Sequence, residues 1–272
     1  MARRQSGAHA EGMTPSEREW AADVLRVAEG ERKPIEPLTV SHPDMDVVDA
    51  YEIQLLNIRQ READGALIRG HKVGLSSKAM QEMMGVDEPD YGHLMDDMFV
   101  FEETEVDCGA LCQPRVEIEV GFLLGAPLPA PGCNAADVLL ATTYVVPAIE
   151  IIDSRIADWR LTLPDTIADN ASSGRVVLGG RPTPLDRVDP RAIGASLQRN
   201  GEVIATGASS AVLGNPVTAV AWLANKVHAF GVSLSAGHTI LPGSCTRAYD
   251  VAKGDVVRAE FDGLGGVTVA FS

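Results

Sequence analysis

Cysteine, positive charge and long apolar runs are all scarce in this sequence, and each scarcity removes a class of function. The four cysteines in 272 residues (Cys108, Cys112, Cys133 and Cys245) are too few for a disulfide scaffold. The one close pair, Cys108 and Cys112, has no second pair or nearby histidine to complete a zinc site. They read as free, reduced thiols. Lys and Arg number 23 against 38 Asp and Glu, a formal charge of −15 with no basic stripe, so a polyanion such as nucleic acid is repelled rather than bound. No apolar run is long enough to span a membrane: the most apolar stretch, Val120 to Ala130, is short and broken by Gly121, Gly125, Pro127 and Pro129. Nor does an apolar stretch follow Arg3 and Arg4, as a secretory signal requires, and the chain reads as cytoplasmic. Familiar motifs are missing too. The glycines at 263, 265 and 266 lack the spacing and following helix of a dinucleotide fingerprint, and the P-loop, His-Glu-x-x-His and Gly-x-Ser-x-Gly patterns are absent.

What is present is a globular composition, 45% hydrophobic and 22% charged, in a chain long enough to bury a substantial core. Residues 1–13 are small and polar and read as a disordered tail. Thr14-Pro15-Ser16-Glu17 is a capping box with proline at the first helical position; Trp20, Val24 and Val27 follow at helical spacing, and Gly30 reads as the stop. A second helix is predicted from about Asp46, with Val47, Tyr51, Leu55 and Ile58 on one face, ending near Asp64-Gly65. Residues 14–66 are thus a helical N-terminal segment. From residue 67 onward strands dominate. Arg69 to Leu75 reads as a strand running into a loop, followed by a short Met-rich helix to Met84 that closes at Gly85, with Met80, Met83 and Met84 as core packing. Arg115 onward alternates sharply, Val116, Ile118, Val120 and Phe122 against Glu117 and Glu119, and Val145 to Ile152 is a second strand carrying Glu150. Asn134 caps a helix between these two strands, read as a crossover. Asn200-Gly201 marks a hairpin, Asn215-Pro216 starts a helix through Trp222, and residues 262–266 form a turn between two final strands. With no internal repeat, the economical fold class is one α+β domain with a helical N-terminal segment.

One constellation carries chemistry. Glu117 and Glu119, two apart on a strand, project from one face, and Glu150 lies on another strand between Ile149 and Ile151. Carboxylates placed side by side repel, and a divalent cation is a natural reason to put them there. Three carboxylates with no His or Cys suit a hard ion such as Mg²⁺ or Mn²⁺, with positions left open for water or substrate oxygens. On the pattern alone, a solvated strand face explains the same glutamates at least as well.

Five ordered segments tip that balance: Gly70-His71-Lys72-Val73-Gly74-Leu75-Ser76-Ser77, the run Gly85 to Gly92, Gln113-Pro114-Arg115-Val116-Glu117-Ile118-Glu119, Pro147 to Arg155, and Asp165 to Ser172. In order and spacing they resemble the 2-keto-4-pentenoate hydratases and 4-oxalocrotonate decarboxylases, relatives of fumarylacetoacetate hydrolase. The resemblance implies a mixed β-roll with surrounding helices, so that residues 67–272 become a metal-binding catalytic domain. It implies Glu117, Glu119 and Glu150 as ligands of Mg²⁺ or Mn²⁺, and Lys72, Asp90 and Ser172 as catalytic positions. Without it, Lys72 reads as a surface lysine, Asp90 as a turn residue or helix cap and Ser172 as a loop hydroxyl. His71 and Arg155 stand evenly between structural pairing and substrate contact. The implied activity is metal-dependent hydration of 2-hydroxypenta-2,4-dienoate, or an alkyl-extended 2-hydroxydienoate, to a 4-hydroxy-2-oxo acid, in meta-cleavage catabolism of aromatic or steroid compounds. The alternatives are 4-oxalocrotonate (2-oxo-hex-3-enedioate) decarboxylation, or an inactive partner subunit of such a complex. An extra inward-facing basic residue would favour the decarboxylase. The implied assembly is a homo-oligomer, a pentamer or decamer, with a related decarboxylase or a downstream aldolase as candidate partner.

Overall fold

The computed structural model describes residues 12–272, and the tail predicted for residues 1–13 lies outside it up to residue 11. Packing starts before Thr14: Met13 is buried and its N–H donates to Asp49 Oδ2 at 3.1 Å. Helix α1 (Pro15–Glu31) begins with the expected reciprocal bonds between Thr14 and Glu17. Its buried face is Ala21, Ala22, Leu25 and Ala28, while Trp20 and Val27 stay about half exposed at 47% and 48%. The apolar spacing therefore picked the wrong stripe. Small alanines let α1 sit close on its neighbour and leave the larger side chains at the flank. Gly30 remains helical, and the stop is Arg32 in a left-handed conformation at φ 54°. After the short α2 (Leu38–Ser41), α3 (Val47–Ala63) follows its Asp46/Asp49 capping box and buries Tyr51, Leu55 and Ile58 as expected.

The rest is two sheets with helices between their strands. Strand β1 (Ile68–Gly74), helix α4 (Lys78–Met84), strand β2 (Asp90–Met95) and the two-residue strands β3 (Phe99–Val100) and β4 (Glu105–Val106) lead to the long strand β5 (Arg115–Leu124). Helix α5 (Ala135–Ala141) then connects to β6 (Thr142–Ile152). Because β5 and β6 are antiparallel neighbours, α5 is an elaborated hairpin connection, not a crossover. Helix α6 (Leu163–Ala168), β7 (Ser173–Leu178), β8 (Thr183–Pro184), the hairpin β9 (Gly194–Arg199) and β10 (Glu202–Ala208), helix α7 (Pro216–His228), β11 (Thr239–Leu241), β12 (Tyr249–Asp250), β13 (Val256–Phe261) and β14 (Gly265–Phe271) complete the chain. The β9–β10 turn is the predicted Asn-Gly pair, both residues at positive φ (54° and 85°) as a primed turn demands.

The larger sheet runs β2-β1-β11-β5-β6-β7-β3, with β12 added to β5 and β8 to β6; it is mixed, since β1 with β11 and β3 with β7 are parallel. The smaller runs β10-β9-β13-β14-β4 and packs on β6 and β7 of the larger. A single apolar core joins Leu25 and Tyr51 of the helical segment to Ile118 and Ile149 of the large sheet and Val257 of the small one. The N-terminal helices thus complete the core of the sheets rather than forming one of their own.

Candidate active site

Strand register builds the site. Glu117 lies directly opposite Glu150 in the β5–β6 ladder, and Glu119 follows two residues on along the same face. All three are buried, at 6%, 0% and 0% exposure, so the solvated-face explanation fails. One carboxylate oxygen from each lies within 4.8 Å of the others. Glu119 Oε2 accepts the Gly243 N–H at 2.7 Å, whereas Glu119 Oε1 and both oxygens of Glu150 have no hydrogen-bond partner. Like charges directly opposite on a sheet destabilise it, and buried carboxylate oxygens without donors cost more still. Burial, reinforced by Glu150 and Asp90 and opposed by Lys72, pushes Glu117 up to about 7. Glu119 and Glu150 are also raised, first by burial and then by neighbouring carboxylates. Three acids this reluctant to ionise together, with orphaned oxygens converging, fit a hard divalent cation.

Lys72 reaches the same point from β1. Its ammonium donates to the Ala171 carbonyl at 2.8 Å and stands 3.4 Å from Glu150 Oε1, an ion pair rather than an aligned hydrogen bond. On a flat sheet β1 and β6, three strands apart, would be about 14 Å from each other. Their side chains meet because the sheet curls around this face. Burial alone would discharge Lys72, but Glu150, Asp90, Glu117 and Glu119 outweigh it and raise its pKa, so it stays an ammonium.

Asp90 is neither a turn residue nor a cap. It opens β2, opposite Gly74 of β1, and is therefore diagonal to Lys72 on one face. Gly74 leaves the room for this: a Cβ there would overlap Asp90 Oδ1 and crowd Lys72 Nζ. Thr166 Oγ1 donates to Asp90 Oδ2 at 2.7 Å, leaving the buried Oδ1 without a hydrogen-bond partner. Ser172 sits at the end of three consecutive left-handed residues, Asn170, Ala171 and Ser172 (φ 54°, 49° and 53°). Such a run of non-glycine residues needs external support. It has Lys72 on the Ala171 carbonyl, Asn170 bonded both ways to the His93 backbone, and Arg155 bonded to Asp169 and to the Ser173 carbonyl.

Lys72, Asp90, Glu117, Thr166 and Ser172 line one cavity of about 220 Å³, together with Met80, Arg115 and Trp159. Every residue proposed from the sequence is at or beside this cavity. The side chains of Met83 and Met84 lie outside the described set. His71 and Arg155 resolve as structural: His71 turns to the opposite face of β1 and packs with tilted rings against His93 and His238 at 4.8 and 5.4 Å between ring centroids, and Arg155 braces the Ser172 turn through Asp169. Sequence reasoning missed Thr166, Arg115, Trp159 and Gly74. Arg115 carried a usable signal, the strand period that aligns it with Glu117; the others become meaningful only once the strands are paired.

Comparison with known proteins agrees with this geometry. Residues 72–271 match the family model for the fumarylacetoacetate (FAA) hydrolase C-terminal domain. The chain is 45% identical over 259 residues to a 2-keto-4-pentenoate hydratase of Paraburkholderia xenovorans, covering 95% of this chain and 96% of that protein. It is 41% identical over 256 residues to a 2-oxo-hept-4-ene-1,7-dioate hydratase of Escherichia coli, covering 92% and 96%. A solved 4-oxalocrotonate decarboxylase from Pseudomonas putida G7, complexed with magnesium and adipate, superposes with a TM-score of 0.93 at 40% identity over 97% of this chain and 100% of that one. With the match spanning most of its length, this chain belongs to the fumarylacetoacetate hydrolase family.

Proposed function

We propose that the protein is a metal-dependent hydro-lyase that adds water to 2-hydroxypenta-2,4-dienoate, or to a chain-extended 2-hydroxydienoate, giving a 4-hydroxy-2-oxo acid. The observation that carries this reading is the convergence of three buried carboxylates, two of them with oxygens that lack a hydrogen-bond partner, beside a cavity lined by Glu117, Lys72 and Asp90. The relatives named as hydratases support the reaction type, and the magnesium of the decarboxylase structure supports the ion.

Glu117, Glu119 and Glu150 would hold Mg²⁺ or Mn²⁺. Such an ion supplies Lewis-acid stabilisation of negative charge at the substrate's C1 carboxylate and C2 oxygen, worth several kcal/mol. The protein's own groups do the rest. Lys72, kept charged and aimed by the Ala171 carbonyl, anchors the substrate carboxylate. Protonation at C5 gives the conjugated 2-oxo-3-enoate; water then adds at C4 while C3 takes a proton, so one water is gained overall. Asp90 is the proton-transfer group: Thr166 fixes one oxygen and the other is free to accept from water. Ser172 orients the reactants from the far wall. We assign residues 67–272 as the catalytic unit and 14–66 as its helical cover. We read the chain as working in a homo-oligomer, pentameric or decameric, an assembly that would cover exposed apolar side chains such as Phe101 and Leu140 (88% and 86%).

The second reading is decarboxylation of 2-oxo-hex-3-enedioate, favoured by Arg115, the extra basic residue on the cavity wall. Purified protein with Mg²⁺ is offered both 2-hydroxypenta-2,4-dienoate and 2-oxo-hex-3-enedioate, following ultraviolet absorbance and carbon dioxide. Loss of the dienoate band with formation of the hydroxy-oxo acid is expected. Carbon dioxide release from the diacid replaces hydration with the second reading, and full turnover after chelation removes the metal from both.

A further inference from the structure

A glutamine is fully buried in the helical segment, and its bonds end beside the proton-transfer pair. Gln54 sits in α3 between Ile53 and Leu55 with 0% exposure, a costly place for an amide unless its polar atoms are all used. Nε2 donates to the Tyr91 carbonyl at 3.0 Å and to the Ile167 carbonyl at 2.6 Å. Carbonyls only accept, which fixes the nitrogen on that side of the amide. Oε1 must then accept, and it faces His93 Nδ1 at 2.8 Å, so that ring nitrogen carries the proton. Tyr91 follows Asp90 in β2, and Ile167 follows Thr166 in α6. One amide therefore ties together the two backbone segments whose side chains meet in the Thr166–Asp90 hydrogen bond of 2.7 Å.

We infer that Gln54 is a positioning residue for proton transfer: it clamps β2 to α6 so that Thr166 holds one Asp90 oxygen and leaves the other to the reactants. The inference rests on the hydratase reading, in which Asp90 moves the protons. Asp90 and Thr166 are 76 residues apart in the chain, so nothing local sets their spacing. Helix α6 is only six residues long, and Ile167 lies in its last turn, where carbonyls have no helical donor. Gln54 supplies that donor from a third element and takes hold of β2 with the other N–H. Each clamped element also has its own anchors. Asp165 of α6 accepts the Thr39 N–H at 3.0 Å and Thr39 Oγ1 at 2.7 Å, and β2 is paired along its length with β1. Loss of the clamp thus shifts Asp90 against Thr166 without releasing either element, and a misplacement of about 1 Å is enough to slow a reaction about a hundredfold. The helical segment then sets catalytic geometry as well as covering the core.

The test uses the Mg²⁺-loaded full chain and two readouts: hydration of 2-hydroxypenta-2,4-dienoate, and exchange of the C3 protons of 2-oxopentanoate for deuterium in D₂O, followed by NMR. Gln54→Met keeps the volume and removes both N–H donors. It should fold and cut kcat and the exchange rate about ten- to a hundredfold, with KM and Mg²⁺ affinity changed by less than about threefold. In an Asp90→Asn background the same substitution should cost nothing further, since the group that it positions is gone. If Gln54→Met does not fold, Gln54→Asn, too short to reach both carbonyls, is read by the same measures. A folded variant with a lower melting temperature but unchanged kcat and exchange overturns the inference, as does an equal loss in the Asp90→Asn background. Wild-type exchange that Gln54→Met cuts, with no dienoate hydrated, keeps the clamp and ends the hydratase reading. Hydration that Gln54→Met leaves at full rate keeps the hydratase reading and ends the clamp.

Discussion

Lys72 and Glu150 define the problem that the site solves at the scale of single residues. Two buried opposite charges at 3.4 Å help each other, but Glu117 and Glu119 leave the cluster with more negative charge than one ammonium can offset. Glu150→Gln keeps the shape and removes one charge, so the empty protein should fold at least as stably as wild type while Mg²⁺ affinity and turnover drop by about two orders of magnitude. Calorimetric titration with Mg²⁺ and a melting curve of the metal-free protein check this. Unchanged Mg²⁺ affinity would remove Glu150 from the ligand set. Residue identity alone made these glutamates visible; it could not make Thr166 or Gly74 visible, because a threonine and a glycine acquire their roles only from the Asp90 carboxylate that folding places against them.

At the scale of elements, the strand pair β1–β2 carries a charge-free layer on the face away from the cavity. His71 and His93 are both 1% exposed, the His71 ring lies tilted against those of His93 and His238, and both are held neutral: burial lowers His93 to about 3 and His71 well below its usual value, with neighbouring histidines adding to the effect. The unfolded chain takes up protons on these rings below about pH 6.5 while the folded protein does not. Each ring therefore contributes a loss of about 1.4 kcal/mol per pH unit as pH drops below about 6.5. Glu117, Glu119 and Glu150, raised by burial, contribute in the opposite sense, because the folded protein takes up their protons before the unfolded chain does. Thermal melts of His93→Gln between pH 7 and 5 should therefore lose less stability on acidification, or gain more, than those of the wild type; identical slopes would mean that His93 does not take up a proton on unfolding. The helices with capping boxes and the Asn-Gly hairpin were legible, since their signals are local. The buried stripe of α1 and the strand identity of residues 90–95 were not, because the first depends on how closely another helix approaches and the second on pairing with β1.

For the whole molecule, the three buried carboxylates couple ion binding to folding. A ligand bound only by the native state stabilises it by about 2.7 kcal/mol at a hundredfold excess over Kd. For a chain of this size that corresponds to a rise in Tm of roughly 5 °C on adding Mg²⁺. Scanning calorimetry with Mg²⁺ and with a chelator measures the shift, and its absence would mean the site does not hold the ion. The net charge of −15 says little about the field in the cavity, where Lys72 and Arg115 are held against the trend of the surface. The amino-acid sequence by itself determined the local elements, the carboxylate pair on one strand face and the ordered segments that mark the family, because each of these depends on residues close together in the chain. Only the tertiary structure decided that the glutamates are buried rather than solvated, that Glu117 faces Glu150, that Lys72 reaches them across a curled sheet, and that Arg115 shares their cavity. Those facts depend on strand register and sheet curvature, which are set by contacts between segments tens to more than a hundred residues apart.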